Sequence, residues 1–127
     1  MPEQAPAHYP YRAAIEAYGN GGFRFADMSH RGSLLILPSG IYAWDVTSMD
    51  EVTAEACAAF LAEMPRPAGF VLLGTGMRHQ IPPAPIRELF AEAGLGLEAM
   101  TTGAACRTFN VLLAEGRDVG AGLIAVD

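Results

Sequence analysis

Two stretches of this chain have residue types and spacing that could do chemistry: Met100-Thr101-Thr102 and Leu73-Gly74-Thr75-Gly76. The adjacent threonines open a predicted helix that runs to about Glu115 and carries Arg107 and Asn110. Free amides at a helix start, helped by the helix dipole, attract an anion. The same threonines have a plainer job, which is to cap those amides. Arg107 and Asn110 stand one helical turn apart and share a face. A guanidinium there could hold a carboxylate or phosphate, or it could be a structural arginine fixed by backbone carbonyls. Gly74-Thr75-Gly76 follows a predicted strand, with Arg78 and His79 just beyond, and ligands of α/β sheets bind at such strand ends. The candidate ligand-binding set is Gly74, Thr75, Gly76, Arg78, His79, Thr101, Thr102, Arg107 and Asn110.

No catalytic residue is assigned. The glycine turn lacks the third glycine of a dinucleotide fingerprint, because position 79 is His79, and Pro82 and Pro83 follow where a helix should start. No phosphate-binding P-loop and no nucleophile elbow occurs, so no cofactor is expected. His8, His30 and His79 are placed on an N-terminal arm and in two loops, without zinc-site spacing, so no metal is expected either. Asp45 after Trp44 could act as a base, but it reads more simply as a turn residue.

The elements that must position these residues follow from periodicity. Asn20-Gly21 is a tight hairpin signal between strands at 14–18 and 22–25. A second strand–turn–strand signal covers 33–37 and 41–44 around Pro38-Ser39-Gly40. Ser48 and Glu51 have capping-box spacing, predicting a helix over 49–64 with Met49, Val52, Ala56 and Phe60 on its apolar face. The apolar run 69–73 predicts a buried parallel strand. A helix over 85–93 stops at Gly94. Strands are predicted at 95–99 and 119–126, flanking the Thr101/Thr102 helix. A β-rich start followed by α-β-α-β-α-β implies a layered α/β sheet with crossovers.

Composition narrows the function classes. The 127 residues suit one domain, read as an extended arm over 1–12 and a single α/β domain over 13–127. The formal charge of −6 disfavours nucleic acid and anionic membrane surfaces as partners. No apolar run reaches the ~20 residues of a membrane span, so no direct membrane insertion is expected. The N-terminus reads as neither a secretory signal nor a transit peptide. The two cysteines, Cys57 and Cys106, fit buried free thiols in a reducing compartment, and the cytoplasm is the expected location.

Gly22-Phe23-Arg24-Phe25, Gly32-Ser33-Leu34-Leu35, Leu73-Gly74-Thr75-Gly76, Met100-Thr101-Thr102 and Ala105-Cys106-Arg107-Thr108-Phe109-Asn110 resemble the family that includes the mitochondrial complex I assembly factor 3. The resemblance covers 15–126, and the last motif is its most specific. Phe109 stands where relatives often carry tyrosine. The resemblance implies a three-layer α/β fold, with a mixed, mostly parallel central sheet and an additional N-terminal β-rich layer. It implies protein partners in a respiratory complex or the membrane-insertion machinery, and a bacterial member of the family. The function expected is that of a non-enzymatic assembly or chaperone-like factor. The alternative is a small-molecule or anion-binding protein, or an enzyme, using the crevice at the strand ends.

Overall fold

The structure is a computed structural model and describes residues 7–127. Asn20 and Gly21 both take positive φ (52° and 78°), the geometry of a two-residue hairpin turn, and join β1 (Ile15–Gly19) to β2 (Gly22–Phe25). A further strand, β3 (Met28–Arg31), completes an antiparallel three-stranded sheet in the order β1-β2-β3. Sequence reading missed β3 and put His30 in a loop. The turn into β3 is made by Ala26 and Asp27 at φ of 49° and 61°, without the glycine that usually announces it. Of the expected arm, residues 1–6 lie outside the described residues, while Tyr9 forms an antiparallel bridge to Ile41.

The second sheet has five strands: β4 (Ser33–Leu37), β5 (Gly40–Trp44), β6 (Phe70–Gly74), β7 (Gly96–Met100) and β8 (Val119–Leu123), in the order β5-β4-β8-β6-β7. β8 is the central strand; β6 is interior, between β8 and the edge strand β7, and pairs in parallel with β7, as the crossover through α2 (Ala84–Ala93) requires. The sheet is mixed, with β4 running against the other four strands. β8–β6 and β6–β7 are parallel, whereas β5–β4 and β4–β8 are antiparallel, because β4 and β5 enter as a hairpin.

The helix expected over 49–64 is a correction. Only a 3₁₀ turn at Met49–Glu51 and α1 (Ala58–Glu63) are helical. Ser48 makes no side-chain cap; Glu51 instead accepts from the Thr47 amide and hydroxyl, both at 2.7 Å. Val52 leaves helical geometry, and the Trp44 indole donates to the Ala56 carbonyl at 3.1 Å, diverting an acceptor a continuous helix would use. The expected apolar positions are still inward: Met49, Val52 and Phe60 are buried, and Ala56 packs against them.

Strand alternation divides the interior into two cores on opposite faces of the five-stranded sheet. Leu35, Leu37, Val71 and Leu73 pack with Phe60 of α1 and with Ile86 and Phe90 of α2. Leu34, Ile36 and Leu72 pack with Phe23 and Phe25 of β2 and with Ala105, Cys106 and Phe109 of α3 (Thr102–Ala114). β8 must be narrow for this. A Cβ at Gly122 would lie 2.7 Å from the Trp44 ring, and one at Gly120 would lie 2.9 Å from Met64 Sδ. Gly122→Val should therefore force the Trp44 ring off its site and cost about 1–3 kcal/mol. Chemical denaturation should show a lower midpoint with an unchanged slope.

Candidate functional site

The parallel strands β6, β7 and β8 end together, and α3 begins at the same point. Thr101 is the cap of α3: its hydroxyl accepts from the Ala104 amide at 3.3 Å. Thr102, fully buried, does something the sequence did not announce. Its hydroxyl donates to the Ile124 carbonyl just after β8, at 2.7 Å, and accepts from the Gly76 amide beyond β6, at 3.0 Å. Its own amide donates to the Gly76 carbonyl at 3.0 Å. Gly74 makes room for this, since a Cβ there would sit 3.0 Å from Thr102 Cα. Thr75, also buried, donates through its hydroxyl to the Arg78 carbonyl at 2.6 Å and accepts from the Gln80 amide at 3.2 Å. These bonds fold the following loop back on itself.

The nine residues singled out above thus fall into three places. Gly74, Thr75, Gly76, Thr101 and Thr102 meet at the strand ends. Arg78 and His79 lie on the exposed loop beyond. Arg107 and Asn110 share a helical face, as their spacing requires, but that face looks at β1. Asn110 accepts from the Ile15 amide at 2.7 Å and donates to the Ile15 carbonyl at 2.9 Å. Arg107 is exposed and donates to the Tyr18 hydroxyl at 3.5 Å. The Tyr18 ring lies against Gly103, where a Cβ would be 2.9 Å from Tyr18 Cζ. An asparagine amide satisfying both backbone groups of one strand residue ties the small sheet to α3, and only the fold reveals that partner.

Other titratable groups have structural surroundings. His30 lies on β3, with Nε2 3.2 Å from the Ser33 carbonyl and its ring 5.0 Å from that of His8. Burial holds its pKa below the ordinary 6.5, against the opposing pull of the Ser33 carbonyl. Among the described residues, no group of three or more His, Cys, Asp or Glu side chains could hold a metal ion. Cys57 and Cys106 are free and buried. Burial pushes their thiols up to about 11 and about 12, respectively.

This architecture and these motifs agree with the comparison to known families. Residues 15–124 match the family described as a protein of unknown function (DUF498/DUF598). The chain belongs to that family. The chain is also similar to the mouse NADH dehydrogenase (ubiquinone) 1 alpha subcomplex assembly factor 3, 30% identical over 118 residues. That match covers 93% of this chain but only 63% of the mouse protein, so the chain spans less than two thirds of that relative. An uncharacterized protein of Rhodobacter capsulatus is 36% identical over 110 residues, covering 87% of this chain and 82% of that one. The crystal structure of an outer membrane protein from Bartonella henselae is 52% identical, with a TM-score of 0.87, and covers 94% of this chain and 100% of that chain. Among the described residues, no helix is long and apolar enough to cross a membrane.

Two outcomes follow from this geometry. Asn110→Ala leaves the Ile15 amide and carbonyl without their partner and should cost about 1–3 kcal/mol. Native-state hydrogen exchange should then speed up in β1 to β3 more than in β6. Both thiols, protonated and enclosed at neutral pH, should label slowly in the native protein and quickly once it is unfolded. Fast native labelling at either cysteine would overturn the buried-thiol assignment.

Proposed function

We propose that this chain is a non-enzymatic assembly or chaperone-like factor that docks onto protein partners, in the building of respiratory complex I or in membrane-protein biogenesis. Relationship to the mouse assembly factor supports the role at family level. The structural observation that carries it is the loop beyond β6. Met77 and Ile81 are 74% and 71% exposed, on a loop braced from within by Thr75. A loop already bonded within itself loses little backbone entropy when a partner covers its apolar side chains. Methionine also suits an adaptable protein contact.

In this reading Gly74, Thr75, Gly76, Thr101 and Thr102 set the shape of the loop. Arg78 and His79 sit between the two apolar anchors and meet the partner beside them. Arg107 and Asn110 hold the small sheet in place. The hydroxyl and amide of Thr102 are already bonded within the chain, and nothing here favours the small-molecule alternative. We read the fold as three layers, with α1 and α2 on one face of the five-stranded sheet and α3 with the small sheet on the other. Two free buried thiols support a reducing compartment such as the cytoplasm.

The test compares the full wild-type chain with Met77→Asp/Ile81→Asp in affinity capture from bacterial cells, quantified by mass spectrometry. Complex I subunits or membrane-insertion components should be enriched with the wild type and fall by roughly tenfold or more with the double variant, the scale of losing a contact hot spot. Both proteins should melt at the same temperature, because the two side chains are exposed. Equal recovery with the double variant would remove the loop from the reading.

A further inference from the structure

The small sheet has an inner face sealed by α3 and an outer face with a distinct charge. Alternation along β2 buries Phe23 and Phe25 and exposes Arg24. On β3, Ser29 and Arg31 are exposed. The register pairs Arg24 with Ser29 and Gly22 with Arg31, so the two arginines are diagonal neighbours on one face. Diagonal positions across an antiparallel pair lie roughly 7–8 Å apart. Gly22 pairs with Gly19 on the other side and is itself buried, the place of a Cβ being taken by the His30 backbone. The result is an open groove of about 410 Å³ whose lining includes Tyr18, Asn20, Gly22, Arg24, Ser29 and Arg31.

The charge of this groove runs against that of the chain. The protein has 14 acidic and 8 basic side chains, every basic one an arginine, for a net −6. Arg24 donates to the Ser29 hydroxyl at 2.9 Å, which lays its guanidinium along the sheet. Among the described residues, no carboxylate is hydrogen-bonded to Arg24 or Arg31. The acidic residues nearest in sequence, Glu16 and Asp27, do not line the groove, and the Glu16 carboxylate instead accepts from the Asp27 amide at 3.1 Å.

We propose that this groove docks an extended acidic peptide segment with carboxylates two residues apart. In an extended chain, residues i and i+2 project from the same side, roughly 6.6–6.8 Å apart. That spacing matches the diagonal of Arg24 and Arg31. Guanidinium forks bind carboxylates in a planar, two-bond geometry that a lysine could not supply. The site is separate from the Met77–Ile81 loop and stands or falls independently of the function proposed for that loop.

The experiment titrates the full chain with a dye-labelled Glu-Ala-Glu-Ala-Glu peptide, read by fluorescence anisotropy at low and high salt. Amide chemical shifts are mapped on the wild type alongside. Binding should weaken with salt, and the shifts should concentrate at Gly22, Arg24, Ser29 and Arg31. Arg24→Gln/Arg31→Gln, which keeps polar stems on an exposed face, should weaken binding roughly tenfold or more, the scale of a lost charged hydrogen bond. The charge-reversed Arg24→Glu/Arg31→Glu protein should instead bind the Lys-Ala-Lys-Ala-Lys peptide. Wild-type protein that ignores the acidic peptide, or shifts that map elsewhere, would overturn the proposal. So would inorganic phosphate producing the groove shifts while the peptide produces none, since that describes a small-anion site. Undiminished peptide affinity in the glutamine variant would also overturn it.

Discussion

The hydroxyl of Thr102 holds the ends of β6 and β8 to the start of α3 through two hydrogen bonds made in complete burial. In a low-dielectric interior such a hydroxyl is worth most when both its donor and acceptor roles are used, and it is costly when either is lost. The amide of the same residue bonds Gly76, so the β6 loop cannot swing away from the helix. Gly74 is part of the constraint, since any side chain there would press on Thr102. The edge where α/β sheets commonly take a ligand is occupied here by the protein's own joint. What the joint delivers is a shaped loop.

Starting from that fixed end, α3 crosses the sheet and carries Asn110 to β1. The three-stranded sheet thereby gains a defined seat, with Phe23 and Phe25 packed beside Phe109. A small sheet of this size needs a packed face to be stable. Seating one face leaves the other open, and strand alternation decides which residues it shows. The same alternation in β4 sends Leu34 and Ile36 to one core and Leu35 and Leu37 to the other. Gly120 and Gly122 complete the arrangement by letting Met64 and Trp44 approach β8. The two surfaces discussed above, the braced loop and the arginine face, are therefore consequences of how the interior is tied together.

Much of this organisation was legible before the structure. Asn20-Gly21 announced its hairpin because the positive φ of both residues is a local property. The helix between β6 and β7 announced a parallel pair because a crossover leaves little else. The family motifs resembled the family that includes the mitochondrial complex I assembly factor 3, and the chain is 30% identical to the mouse member over 118 residues. What escaped notice has equally particular reasons. β3 is four residues long, has a single apolar side chain, and follows a turn without glycine. The helix over 49–64 breaks at Val52, whose backbone leaves helical geometry, and resumes only at Ala58, while Trp44 bonds the Ala56 carbonyl between the two pieces.

For the candidate site the division is sharper. By itself the sequence determined that Thr101 or Thr102 starts a helix, that Gly74 to Gly76 ends a strand, and that Arg107 and Asn110 share a face. Each depends on neighbours within a few residues, where propensity, capping and helical period act. Tertiary structure alone decided that the Thr102 hydroxyl meets residues 26 and 22 positions away, and that Asn110 meets Ile15 across 95. The types of these residues do not encode those partners, because a polar side chain bonds whatever donor or acceptor the packed chain brings to it. Packing put a carbonyl and an amide beside Thr102, and its hydroxyl donates to the one and accepts from the other.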